Sequence, residues 1–76
     1  MYFDPMAFAR NFKKLRLQKG LSQRELSAQL GVSLYRIRIC EQGNILGNSR
    51  LSLNTIIKII KFFDCTIADL LKDDLT

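Results

Sequence analysis

The sequence predicts an all-α domain of five short helices, and three observations support this prediction. Apolar residues recur every three or four positions along most of the chain, as they do on the buried face of an amphipathic helix. Glycines and helix-capping residues divide this pattern into segments of helical length. No segment has the features that are typical of a strand.

The composition fits one small globular domain, residues 1–76. At 47% hydrophobic residues with one proline and four glycines, the chain is neither disordered nor of low complexity. It has two cysteines, no histidine and no CxxC pair, which argues against a disulfide scaffold or a metal site. We therefore expect Cys40 and Cys65 to be free thiols of the core in a reducing compartment.

Capping signals place the helix starts. Asp4 before Pro5 is a typical start for the first helix, and Ser22 with Glu25 forms a capping box before the second. Ser33 caps the third, after a tight turn at Gly31. The expected bounds are about 5–19, 23–30, 34–42, 53–63 and 67–72.

The basic charge is concentrated in one part of the chain. Residues 1–50 hold nine basic and three acidic side chains, whereas residues 51–76 hold three basic and four acidic ones. Such an excess favours a polyanionic partner, with nucleic acid ahead of an anionic membrane surface. Modest basic charge that only aids solubility is the alternative.

Other function classes have little support. The start of the chain lacks the pattern of a signal peptide, and the most apolar segment, IIKIIKFF, is far shorter than the ~20 residues that span a bilayer. We therefore expect a cytoplasmic protein with no membrane partner. A nucleophile with a base and a glycine-rich phosphate loop are both missing, so we expect no enzyme, cofactor or small-molecule ligand.

Two helices of about nine residues separated by a tight glycine turn indicate a helix-turn-helix, whose second helix lies in the major groove of DNA. Over roughly residues 8–71 the chain resembles the Cro and phage-repressor-like (XRE-type) family, which includes restriction-modification controller proteins. The matching residues are Leu15-Arg16, Gly20-Leu21-Ser22-Gln23, Glu25-Leu26, Gly31-Val32-Ser33, Ile37, Glu41, Gly43, Leu53, Thr55-Ile56, Lys58-Ile59 and Leu70-Leu71.

This resemblance implies a compact five-helix, lambda-repressor-like DNA-binding fold with the helix-turn-helix at helices 2 and 3. It also implies a partly buried ion pair between Arg16 and Glu41. Independently, Glu41 near a helix C-terminus opposes the helix dipole and therefore needs a partner.

The third helix contains more apolar residues than one core face can hold. Ile37 and Cys40 define the core side, and a turn of about 100° per residue places Tyr35, Arg38, Ile39 and Gln42 opposite. Leu34 and Arg36 fall on the flanks, with core and groove equally open for Leu34. The expected base contacts are Leu34, Tyr35, Arg36, Arg38 and Ile39.

Phosphate contacts need only donors and charge. Gln23, in the first turn of the second helix, matches a glutamine that holds phosphate in the family, and Ser33 begins the third helix. The loop after the third helix is longer than the common form. The expected phosphate contacts are Gln23, Ser33, Gln42, Asn44, Asn48, Ser49 and Arg50.

A single helix reads only a few base pairs, and relatives dimerise on two half-sites about one turn apart, ~34 Å. Apolar residues outside the main face of helix 4 predict a homodimer interface that includes Ile57, Phe62 and Ile67. The predicted function is a sequence-specific transcriptional regulator of double-stranded DNA, either a Cro-like repressor or a restriction-modification controller, on a partly palindromic operator.

A protein-binding module of the same fold, such as an antitoxin that covers a toxin, is the alternative function. The apolar residues that favour it are Tyr35, Ile39, Ile45 and Leu46. The charge pattern separates the two, since a module that binds only protein has no need for a basic surface around the helix entry points.

Overall fold

The computed structural model of the protein describes residues 4–44 and 51–72, and within these residues the chain forms five α-helices and no strand. The all-α, five-helix prediction is confirmed, and each helix bound lies within one residue of the expected one. The helices are α1 (Pro5–Gln18), α2 (Gln23–Leu30), α3 (Leu34–Gln42), α4 (Leu53–Phe63) and α5 (Ile67–Leu71).

Side-chain caps begin each helix. The Asp4 carboxylate accepts a hydrogen bond from the Met6 amide at 3.0 Å, and Ser33 and Ser52 cap α3 and α4 in the same general way. The short helices α2 and α5 both begin with complete capping boxes. Because a helix of this length is marginal in isolation, these caps and the tertiary contacts determine where it forms.

Two glycines end the helices of the helix-turn-helix. Gly31 follows α2 with φ of 69°, and Gly43 follows α3 with φ of 76°, a left-handed conformation that costs other residues about 1–2 kcal/mol. A Cβ atom at Gly43 would lie 2.5 Å from the Met6 sulfur. The end of α3 therefore lies directly against the start of α1.

The helices share one hydrophobic core. Helix α1 packs against α3 and α5, and α2 packs against α3 and α4. The core contains Phe8, Phe12, Leu26, Leu30, Val32, Ile37, Cys40, Ile59, Phe63 and Leu70. Burial raises the pKa of the Cys40 thiol to about 12, so this cysteine acts as an apolar core residue.

Asn11 is a polar residue in this core. Its side-chain amide nitrogen donates to the carbonyl oxygens of Leu70 and Lys72, at 2.8 and 2.9 Å. Carbonyl groups at a helix C-terminus have no partners within the helix, and at the end of α5 the Asn11 side chain donates hydrogen bonds to two of them. The last helix is thereby attached to α1 by hydrogen bonds as well as by packing.

The described helices include none that is both long and apolar enough to cross a lipid bilayer.

The two capping boxes predict a stability that depends on acid pH. Hydrogen bonds from the backbone and side chain of Ser22 lower the pKa of the Glu25 carboxyl from its ordinary 4.5, and those of Thr66 lower the pKa of the Asp69 carboxyl from 3.8. A folded-state pKa below the unfolded value stabilises the fold above the unfolded pKa, and this stabilisation disappears as pH falls through the folded pKa. We expect the melting temperature to drop as pH falls from 5 towards about 2.

The matched control is the variant with Glu25→Gln and Asp69→Asn, in which neither cap can titrate. Its melting temperature should fall less over the same pH range, as measured by circular dichroism. If the melting temperatures of the two proteins fell equally with pH, this would contradict the assignment of the acid dependence to these caps.

Candidate nucleic-acid interface

The second half of the helix-turn-helix presents a mixed polar and aromatic surface. Tyr35 is 63% exposed, and Arg36, Arg38 and Gln42 are also exposed. On the opposite side of the same helix, Ile37 is fully buried. Helix α3 therefore has an outer face on which guanidinium, amide and phenol groups are accessible, and these can donate to base edges or to phosphates.

The prediction that Ile39 points outward is wrong. Its side chain is only 5% exposed, although it lies outside the main core cluster. The helical wheel assigned one buried stripe to α3, whereas this helix packs against both α1 and α2. At the end of α3, Gly43 is left-handed and the Asn44 amide donates to the Ile39 carbonyl at 3.0 Å. Ile39 is removed from the candidate base contacts.

For Leu34 the sequence left a core position and a groove position equally open, and the structure shows it half-buried. It contributes to the wall of a surface pocket of about 390 Å³ between the start of α2 and the outer face of α3. The remaining lining residues are Arg16, Ser22, Gln23, Arg24 and Arg38.

This pocket is suited to an anion. Three arginines line it, of which Arg24 and Arg38 are exposed and Arg16 is paired with Glu41, and it lies at the N-terminal end of α2, where the helix dipole is positive. Within the described residues, no carboxylate belongs to its lining. A phosphate group has the charge and the acceptor oxygens that such a pocket can bind.

Sequence reasoning missed Arg24 as a site residue. It occupies the second position of α2, where a cation opposes the helix dipole. That unfavourable placement is the signal that could have identified it, since a charge in the wrong place for helix stability often serves another purpose.

The ion pair between Arg16 and Glu41 is present beside this pocket. The Arg16 Nε donates to Glu41 Oε2 at 2.6 Å, and the Arg16 Nη2 donates to Glu41 Oε1 at 3.1 Å. The Arg16 Nη1 donates to the Leu21 carbonyl at 2.8 Å. The two side chains are 9% and 5% exposed. The pair therefore joins α1, the start of the helix-turn-helix and the end of α3.

Gln23, the expected phosphate contact, belongs to the same network. Its Nε2 donates to Glu41 Oε1 at 3.1 Å, so the carboxylate accepts hydrogen bonds from two residues. Gln23 also lines the pocket. The sequence pattern identified Gln23 and Glu41 separately, but not the contact between them.

The other expected phosphate contacts divide into two groups. Ser33 is exposed and accepts a hydrogen bond from the Arg36 amide at 3.2 Å as the cap of α3, and Asn44 is exposed after its end. Asn48, Ser49 and Arg50 lie outside the described residues, as do Ile45 and Leu46.

The expected interface residues differ in exposure. Ile57 is 40% exposed, whereas Phe62 and Ile67 are partly buried against the core. Phe62 also packs edge-on against Phe63, 5.1 Å between ring centroids. Leu53, one turn before Ile57, is 71% exposed and was not among the expected interface residues. An apolar residue at the first position of α4 was the signal for it.

The described residues hold no cluster of histidine, cysteine, aspartate or glutamate suited to a metal ion.

Comparison with known protein families identifies a related domain. The family model of the Cro/C1-type helix-turn-helix DNA-binding domain matches residues 11–74. No curated protein and no solved structure matches the chain at a significant level.

The buried ion pair predicts a large effect of removing one partner. In Arg16→Met, the Glu41 carboxylate loses its charged partner while it stays buried, and we expect the free energy of unfolding to fall by about 3–5 kcal/mol. Urea denaturation followed by circular dichroism measures this change.

The matched control is the double variant Arg16→Met with Glu41→Leu, which removes both charges together. Because apolar residues of similar volume often replace a buried pair at little cost, it should recover most of the lost stability. A double variant that is less stable than Arg16→Met would show that the charge left alone is not the cause.

Proposed function

The chain belongs to the family of Cro/C1-type helix-turn-helix DNA-binding domains, and we propose that it is a sequence-specific regulator of transcription. In this proposal it acts either as a Cro-like repressor or as a restriction-modification controller. The single observation that carries it is the arginine-lined pocket at the start of α2, which adjoins the exposed outer face of α3. A DNA duplex offers both phosphates and base edges to a protein surface of this kind.

The outer face of α3 supplies the proposed base contacts. Arg36 and Arg38 are exposed and can donate two hydrogen bonds to a guanine, a contact worth about 1–3 kcal/mol against the wrong base. Tyr35 can pack against a thymine methyl group. Leu34 lies at the edge of this surface and would contact the groove with its exposed part.

The proposed phosphate contacts surround this face. Gln23 and Arg24 are placed at the pocket, with the first amides of α2 beside them. Ser33, Gln42 and Asn44 are proposed to bind phosphate at either end of α3. Asn48, Ser49 and Arg50 stay a prediction from the sequence.

We propose that the functional unit is a homodimer, because one helix in the groove reads too few base pairs for specific binding. Ile57 is the best-placed of the expected interface residues, since it is 40% exposed on α4. Leu53 is in the same row, four residues earlier, and extends the apolar surface. Phe62 and Ile67 would contribute only their exposed edges.

Selection of bound duplexes from a random pool, at two salt concentrations, tests this function. We expect enrichment of two related half-sites with centres ~34 Å apart, because each protomer presents one reading helix. The same selection with Ile57→Asp should enrich single half-sites at lower affinity. Steeply salt-dependent retention without enrichment would indicate binding to the backbone alone. No retention at low salt would favour the protein-binding alternative.

Two variants should separate base reading from backbone binding. Arg38→Ala should weaken binding to the selected duplex by about 1–3 kcal/mol and change binding to a random duplex much less. Gln23→Ala should weaken both by similar factors, because its contact carries no sequence information. Fluorescence anisotropy at fixed salt measures all four affinities.

Lys72→Ala is the control, since it removes one exposed positive charge far along the chain from α2 and α3. It should leave the ratio of specific to non-specific affinity unchanged. The reverse pattern, with Gln23 controlling specificity and Arg38 controlling general affinity, would refute this docking.

A further inference from the structure

We infer that Glu41 is a positioning residue that holds the side-chain amide of Gln23 in the orientation needed to bind a DNA phosphate. The inference rests on the proposed function, because it assigns the pocket at the start of α2 to a backbone phosphate. Glu41 itself would not touch the DNA.

The Glu41 carboxylate is held in place by hydrogen bonds. Glu41 accepts hydrogen bonds from Arg16 Nε at 2.6 Å, from Arg16 Nη2 at 3.1 Å and from Gln23 Nε2 at 3.1 Å. Its side chain is 5% exposed, and it is fixed by two of these bonds from a guanidinium that is itself 9% exposed. Glu41 therefore offers Gln23 an acceptor whose position does not depend on solvent.

The chemistry of the two groups sets the orientation of the amide. An ionised carboxylate has only acceptors, so the nitrogen end of the Gln23 amide must face it and the oxygen end cannot. The amide nitrogen has two hydrogens, and it donates one of them in a hydrogen bond to Glu41. The second hydrogen is left as a donor whose direction is fixed by the first bond.

Glu41 and the two residues that donate to it differ in their position relative to the pocket. Arg16 and Gln23 belong to the pocket lining, whereas Glu41 does not. The negative charge therefore lies behind the two donors that it holds, and an anion in the pocket meets the donors first. Arg24 and Arg38 add positive charge at the same place.

A side chain that is already oriented before it binds DNA contributes more to the affinity. A free glutamine side chain must lose rotamer freedom when it binds a phosphate, and a side chain already held by Glu41 loses less. Loss of this advantage corresponds to about a two- to tenfold decrease in DNA affinity. If Glu41 only stabilised the fold, its substitution would weaken DNA binding by the same factor whether or not Gln23 was present.

A double-mutant cycle tests the inference. The operator affinity of the full chain is measured for the parent, Glu41→Met, Gln23→Ala and the combination, at a temperature where circular dichroism shows all four folded. We expect Glu41→Met to weaken binding about two- to tenfold more in the parent than in the presence of Gln23→Ala. Equal effects in the two backgrounds would overturn the inference.

Because Glu41→Met leaves the Arg16 charge unpaired, the same cycle is run with Arg16→Met and Glu41→Leu combined. Because this second variant removes both charges together, we expect it to keep the fold, while it also removes the acceptor for Gln23. Its interaction with Gln23→Ala should have the same sign. Simple additivity would again overturn the inference.

A measurement without DNA keeps the inference distinct from the proposed function. The mobility of the Gln23 side-chain amide is measured by ¹⁵N relaxation and compared with that of Gln29, an exposed glutamine in the same helix. Gln23 should be the more rigid of the two in the parent chain and as mobile as Gln29 in Glu41→Met. Equal mobility in the parent would overturn the inference, whether or not DNA binds.

If the amide is rigid in the parent but the chain retains no duplex at low salt, the proposed function is what fails. The inference falls with it in that case, because the fixed amide then has no phosphate to bind. If duplexes bind but Gln23→Ala has no effect on affinity, the phosphate role of Gln23 is overturned while the proposed function stands.

Discussion

The buried ion pair between Arg16 and Glu41 is the interaction on which the arrangement of the helix-turn-helix depends. It joins α1 to the last turn of α3, and the remaining guanidinium nitrogen holds the Leu21 carbonyl just before α2. A buried pair is weak evidence for stability, because the cost of taking both charges out of water nearly cancels their attraction. It does connect three segments, since the hydrogen bonds of Arg16 link α1 to Glu41 at the end of α3 and to Leu21 before α2.

The rest of the fold requires such a fixed point because its elements are short. Helices α2 and α3 have 8 and 9 residues, below the length at which a helix is stable alone in water. Their caps determine where they start, and the two left-handed glycines determine where they stop. Their inner faces pack into the core through Leu26, Leu30 and Ile37. The outer face of α3 lies outside this core, and its side chains are exposed to solvent.

The five helices were predictable because capping residues and glycines act locally, within one turn of the chain. The exposure of Tyr35 and Arg38 was also predictable, because Ile37 and Cys40 define the buried side of α3. Ile39 was not, since a helical wheel with one buried stripe cannot represent a helix that packs on two sides. The contact between Gln23 and Glu41 spans 18 positions, and only the folded arrangement of α2 and α3 brings the two together.

Three local features that oppose folding lie together at one surface of this molecule. Arg24 opposes the dipole of α2, Tyr35 exposes an aromatic ring, and Arg38 brings a further positive charge to a pocket that already contains Arg24. Elsewhere in the described residues, helix starts are capped and buried polar side-chain atoms have hydrogen-bond partners. A sequence that satisfies local rules in most places and violates them together in one place indicates a site. Because these features are positive charge and an exposed aromatic ring, an anionic ligand that also offers apolar contact fits this surface, as the groove of a DNA duplex does.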